Sequence, residues 1–397
     1  MSIDIANPGL DRTLVQSAFD LYANVVPDAT ISPLLPALST DVPTVTFVGP
    51  GGSAPVTGGT AYGYSTAPVT FGGSVPELIT ALSRNYYQNK VNAGWTPPPY
   101  FYEFDYYGTD LDIRFRPANA TPLYWIWVDD KPTTAAPVAG VGLTSNNLYY
   151  MRMVFGATTW RKIRVYQYLA DFGGMDIASG DIVLRTANHI LNGVAMSTLP
   201  RLAFLGDSYF EGTSQLTSMI QSIPLLTGFA LNMQVFNGGQ GGTGWTNTGG
   251  GGGKAVFGDA TRLNRIIQTA PHVLVVGLSI NDNGRAGTAP GDITTAVQSG
   301  LQTLYAALPN TKFVVTGVED PVAASSPTAN AVINNNAGFA GADASGVPYT
   351  KIDPMNEGWY TTANLSSIIG ADGTHVKASG AEFWSRQIGE RGAAISV

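Results

Sequence analysis

Ser208 stands in Gly206-Asp207-Ser208-Tyr209, directly after the apolar run Leu202-Ala203-Phe204-Leu205, so its hydroxyl projects from the turn that ends a strand. Glycine, aspartate and serine all favour turns, and the same tetrapeptide also reads as an ordinary turn. Asp372-Gly373-Thr374-His375, near the C-terminus, places a carboxylate three residues ahead of an imidazole. A carboxylate bonded to one ring nitrogen fixes the tautomer, and it stabilises the imidazolium that forms when the other nitrogen takes a hydroxyl proton. The alternative is an Asx turn capping the helix that follows. The other two histidines, His189 and His272, stand in apolar contexts without a spaced carboxylate and read as structural.

Two further segments could stabilise negative charge. In Asn237-Gly238-Gly239-Gln240-Gly241-Gly242-Thr243-Gly244 the glycines let the backbone approach a ligand and aim an N–H at it. The later run Gly249 to Gly253 followed by Lys254 is no phosphate loop, because Thr248 occupies the position of the first glycine and Ala255 follows the lysine. Residues 249–253 read as a flexible loop. Asn281-Asp282 follows another apolar run, and an asparagine amide there can donate to a carbonyl oxygen that is gaining charge. A turn is the competing role for this pair.

These segments need a scaffold that brings strand ends together. After Pro200 four apolar runs, RLAFLG, MQVFNGG, HVLVVGLS and KFVVTGV, alternate with helical segments, which is the order of a parallel α/β sheet. Over 292–308 Ile293, Val297, Leu301, Leu304 and Leu308 fall on one helical stripe, with Asp292 as the expected cap. Over about 378–390 Ala381, Trp384 and Ile388 repeat the pattern. Ligands bind such sheets beyond the carboxyl ends of the strands, where Ser208, Gly242 and Asn281 fall. Residues 91–195 carry short β-rich runs, among them YFYEFDYYG, LDIRFRP, LYWIWVDD, NLYYMRMVF and RKIRVYQYL, and predict an antiparallel sandwich. Residues 1–90 read as an irregular leading segment, Pro- and Gly-rich, with a helix expected around Leu10 to Val25. Residues 196–397 form the third division.

The bulk composition narrows the chemistry. With 397 residues, 44% of them hydrophobic and only 12% charged, the chain is long enough for two folded domains. A net charge of -7 and the lack of a Lys/Arg run leave nothing to neutralise a phosphate backbone, so nucleic acid is not an expected partner. There is no cysteine, which excludes disulfides, thiolate nucleophiles and Cys-based metal sites. The N-terminus has neither the basic start nor the apolar run of a signal peptide, and no apolar window is long enough to span a membrane. The expected location is cytoplasmic by default, with extracellular or virion-associated placement open through a signal-independent route.

The four segments, in this order and each at a strand end, resemble the blocks of the SGNH/GDSL hydrolase superfamily from residue 200 onward. The resemblance implies a flavodoxin-like three-layer α/β/α domain. It implies Ser208 as nucleophile, His375 as base and Asp372 as its orienter. The oxyanion donors would be the backbone N–H groups of Ser208 and of Gly242, or of Gly241 by a one-residue shift, and the side chain of Asn281. The third block of the family reads Gly-x-Asn-Asp, whereas this chain has Ser279-Ile280-Asn281-Asp282. The preceding β-rich region is similar to the jelly-roll-like sandwich ahead of the hydrolase domain in some carbohydrate esterases. Together these imply a serine esterase for short acyl esters, O-acetyl groups on a glycan above all, working through an acyl-enzyme without metal or organic cofactor. Tyr209, Trp245, Trp359 and Tyr360 are candidate sugar-binding faces, with core packing as the alternative. Competing functions are a lipase or thioesterase, and a non-catalytic component of a phage particle or cell-surface assembly.

Overall fold

The structure is a computed structural model that describes residues 38–49, the short strands between 60 and 88, residues 101–115, 123–167 and 200–393 with short internal gaps, and the short strands between 176 and 192. The helix expected around Leu10 to Val25 lies outside the described residues. The chain divides into two compact units, Pro36–Ser197 and Thr198–Val397.

The first unit is built on antiparallel pairing. β1 (Thr44–Val48) arises inside the segment read as irregular and pairs with β4 (Tyr149–Gln167), which also pairs with β2 (Phe101–Phe115) and β3 (Leu123–Val128). Four of the runs expected as separate short strands are therefore two long ones. The turn-formers between them are absorbed by a break in register between Val154 and Thr159 opposite Gly108. Arg161, itself buried, closes this bulge by donating to the carbonyls of Gly108 (2.7 Å) and Ala157 (2.7 Å). Phe104, Tyr106, Ile113, Tyr124, Ile126, Met151, Met153, Ile163 and Val165 form its apolar core.

In the second unit the four expected strands appear as β5 (Arg201–Gly206), β6 (Gln234–Gly239), β7 (Val273–Gly277) and β8 (Lys312–Thr316), and a fifth, β9 (Tyr349–Ile352), joins at the edge. All pair in parallel in the order β6-β5-β7-β8-β9, the flavodoxin-like order. The strands read as continuous apolar runs because both faces are covered. Ala203, Leu205, Leu274, Val276, Phe313 and Val315 pack on one side, in one cluster with Leu263 and Ile266 of α3 (Ala260–Gln268), Ile293, Val297, Leu301 and Leu304 of α4 (Pro290–Ala307), and Phe339 of α5 (Ala329–Ser345). The alternate residues Leu202, Phe204, Val275 and Val314 are equally buried, and α2 (Ile223–Leu231) packs in the other layer with α7 (Ala378–Ala393), which also meets the single turn α6 (Leu365–Ile368).

The stripes expected on the helices are buried as read, including Ala381, Trp384 and Ile388 of α7. The expected cap of α4 is corrected by three residues: Ala289 is the cap, and Asp292 in the first turn reaches back to accept from the Ala289 N–H at 3.2 Å. Pro290 explains the shift, since its fixed φ and missing N–H suit the first helical position. Among the described residues no helix is long and apolar enough to cross a membrane.

Candidate active site

β5 ends at Gly206, and the chain turns at once into α1 (Ser208–Glu211), a single helical turn. Asp207 caps it, its Oδ1 accepting from the Tyr209 N–H at 3.1 Å, so Ser208 is the first helical residue and stands at the carboxyl edge of the sheet. The segment before α7 supplies the other two groups. Asp372 Oδ1 accepts from the backbone N–H groups of Thr374 (3.0 Å) and His375 (2.9 Å), which is the Asx turn of the alternative reading. Its other oxygen lies 2.7 Å from His375 Nδ1, and His375 Nε2 lies 3.0 Å from Ser208 Oγ. The turn and the Asp372–His375 pair are thus one device: the Asx turn sets the carboxylate that aims the ring.

Burial works to raise the Asp372 carboxyl, but the bonds from the His375 ring and the two backbone N–H groups outweigh it and hold the group below the ordinary aspartate value. The His375 and Asp372 side chains remain about a quarter and a third exposed, so solvent reaches the pair.

The glycine segment after β6 lies against the serine, since a Cβ at Gly241 would stand 3.4 Å from Ser208 Cβ. The Gly241 N–H is committed to Glu211 Oε2 at 2.7 Å. Gly242, the next residue, at φ +74 occupies the left-handed region that glycine alone enters freely. Asn281, on the single turn Ile280–Asp282 after β7, also comes to this edge, yet its Nδ2 is directed at Asp207 Oδ2 (3.2 Å) and the Thr243 carbonyl (3.0 Å). It can donate to a new oxyanion only by exchanging one of these acceptors.

Ser279, where the SGNH/GDSL pattern has glycine, donates its hydroxyl to Asp207 Oδ2 at 2.7 Å and also receives the Asn281 N–H at 3.1 Å. The departure adds a bond that fixes the Asp207 carboxylate beside Ser208. Burial pushes the Asp207 carboxyl up, with the bonds from Ser279 and the Tyr209 N–H opposing it. Asp282 anchors the loop from behind by accepting from the N–H groups of Trp245 (3.0 Å) and Thr246 (2.7 Å).

Three charged residues at this edge escape sequence reasoning. Arg262 of α3 is buried and donates to the carbonyl of Gly206, to the carbonyl of Gly238 (2.8 Å) and to Thr243 Oγ1 (3.0 Å), tying the end of the serine strand to the glycine segment. Glu211 is buried, and desolvation raises its carboxyl to about 8 against the Gly241 N–H and the Lys254 and Arg262 charges. Lys254 donates to the Gly241 carbonyl at 2.6 Å. All three act on main-chain atoms, so no spacing of residue types announces them.

The four aromatic candidates are corrected: each is buried, so their faces meet protein. Tyr209 donates to the Thr374 carbonyl, Trp245 donates to the Gly277 carbonyl at 3.1 Å, and Tyr360 donates to Glu319 at 2.7 Å and accepts from Trp384 Nε1 at 2.8 Å. Trp359 stacks edge-on against Trp384, 4.6 Å between ring centroids. Of the four, Tyr209 lies beside the His375 ring, 6.1 Å between centroids. His272 accepts from the Arg201 N–H at 2.9 Å and His189 lies 3.1 Å from the Tyr106 hydroxyl, both structural roles.

No protein-family model and no curated protein matches the sequence. Solved structures do. A family two carbohydrate esterase from Clostridium thermocellum, in complex with cellohexaose, superposes with a TM-score of 0.56 at 15% identity over 81% of this chain and 97% of that one. A salicylyl-acyltransferase from a tetracycline biosynthetic pathway gives 0.55 at 13% identity, covering 83% and 95%. A GDSL-like lipase from Bacteroides ovatus gives 0.50 at 14% identity, covering 81% and 95%. At these identities the likeness is one of fold, and the fold is that of the SGNH/GDSL hydrolases.

Proposed function

We propose that this chain, which carries the SGNH/GDSL fold, is a serine esterase that removes short acyl groups, O-acetyl in particular, from a carbohydrate. The observation that supports it is the continuous relay from Ser208 Oγ through His375 to Asp372, at 3.0 and 2.7 Å, on the carboxyl edge of the sheet. His375 Nε2 takes the hydroxyl proton as Ser208 Oγ adds to the ester carbonyl, and Asp372 stabilises the imidazolium. The oxygen that gains charge is received by the backbone N–H groups of Ser208 and Gly242, with Asn281 turning one amide hydrogen to it. The imidazolium then protonates the departing sugar oxygen, leaving the acyl group on Ser208. Water, deprotonated by His375, attacks that acyl-enzyme and releases the acid.

The carbohydrate part of the reading draws on the glycan-bound esterase among the fold relatives and on the antiparallel unit that precedes the α/β unit. The test is an acyl chain-length series from acetyl upward beside acetylated glycans, with wild type and Ser208→Ala. Fastest cleavage of acetyl esters and release of acetate from glycan support the proposal. A preference for acyl chains of about eight carbons or more, each added methylene being worth up to about 0.8 kcal/mol when buried, moves the reading to a lipase or thioesterase.

A further inference from the structure

The peptide group between Gly241 and Gly242 holds both a carbonyl and an N–H, and in a planar trans peptide these point in opposite directions. With glycine on either side, no Cβ restrains rotation of this plane, and it can flip at little steric cost. Its orientation therefore needs an outside hold. Lys254 supplies one: its Nζ donates to the Gly241 carbonyl at 2.6 Å, with its stem across Gly242 and Gly249, where added Cβ atoms would stand 3.5 Å from Nζ and 2.8 Å from Cδ. On the neighbouring plane Glu211 accepts the Gly241 N–H at 2.7 Å, so two successive peptides are gripped by side chains of opposite type.

We propose that Lys254 is a positioning residue that, by holding the Gly241 carbonyl, turns the Gly242 N–H toward the oxyanion formed at Ser208 and strengthens it as a donor. The inference rests on the esterase reading above. A charge-assisted bond to the carbonyl polarises the whole amide, so the N–H on its far side becomes the better donor. The demand falls in the transition state, when the substrate oxygen carries charge, and hardly in the ground state. Lys254 therefore acts on kcat more than on KM.

The chain has no cysteine, so Lys254→Cys creates a single thiol that bromoethylamine converts to a near-copy of lysine and iodoacetamide converts to a neutral side chain of similar length. With an acetyl ester, Lys254→Met is expected to lower kcat about tenfold to a hundredfold, less than or equal to the loss of one oxyanion donor, with KM within about twofold. The aminoethylated cysteine variant is expected to recover most of that loss and the carbamidomethylated one none of it, at matched thermal midpoints. Recovery by both reagents alike, or Ser208-dependent hydrolysis that Lys254→Met leaves within about twofold of wild type, overturns the role of Lys254 alone. Hydrolysis that survives in Ser208→Ala overturns the esterase reading and this inference with it.

Discussion

Ser208, His375 and Asp372 are joined by two hydrogen bonds whose outer end is open to solvent, which separates what each contributes. Ser208→Ala removes the covalent route, and ester hydrolysis is expected to fall at least about a thousandfold, with loss of labelling by a serine-directed phosphonate. Asp372→Asn keeps the shape and loses the counter-charge. A fall of about a hundredfold or more in kcat is expected, while the thermal midpoint moves little because the pair is exposed. Glu211 gives a test through pH. Its carboxyl rises from 4.5 in the ordinary state to about 8 when folded, so between those values the folded chain holds a proton that the unfolded chain has released. Its contribution to stability is then fully present below about 4.5 and is lost as the pH climbs through about 8. The thermal midpoint of Glu211→Gln is expected to fall less than that of wild type between pH 5 and 9; an identical pH dependence in the two proteins would contradict the raised value. The approach of Ser208, His375 and Asp372 to one another was legible because Asp372 and His375 are three residues apart and Ser208 ends an apolar run. Glu211, Lys254 and Arg262 were not legible because they bind main-chain atoms, and Trp245 and Tyr360 misled because residue type alone does not separate a buried ring from a binding face.

Among the elements, α4 and α5 pack directly on one another, and Gly341 marks how closely. A Cβ there would strike the Thr294 carbonyl, which is backbone and cannot swing aside. Gly341→Ala is therefore expected to lower the thermal midpoint by several degrees, in line with about 1–3 kcal/mol for an overpacked contact, while Ser208 still reacts with the phosphonate. A midpoint equal to wild type would mean that the helices part without cost. β5 to β8 could be read from the sequence because strands buried on both faces are written mainly in apolar residues. β9, the edge strand Tyr349–Ile352, is partly exposed over most of its length and carries Thr350 and Lys351, a composition that also suits a loop. The long strands β2 and β4 were seen as fragments because Gly108 and Gly156 look like turns until Arg161 is known to hold the bulge between them.

Across the whole chain the low charge density, 12% of residues, and the net charge of -7 predict weak long-range electrostatics. The protein is expected to pass unretained through a nucleic-acid column even at low salt, and kcat/KM for a neutral acetyl ester is expected to change less than about twofold between 0.05 and 0.5 M salt. A steep salt dependence would point to a charged substrate instead. The relay has a further consequence in time. Its outer half is local: the Asp372 carboxylate gathers the N–H groups of Thr374 and His375 within a four-residue stretch, so Asp372 and His375 can come together early in a folding chain. The inner half spans 167 residues, because His375 must still reach Ser208 across the sheet. Closing so long a loop waits for the intervening strands to pair. On refolding from denaturant, catalytic competence is therefore expected to return after the helical signal has recovered, which makes ester turnover a clock for the arrival of the C-terminal segment.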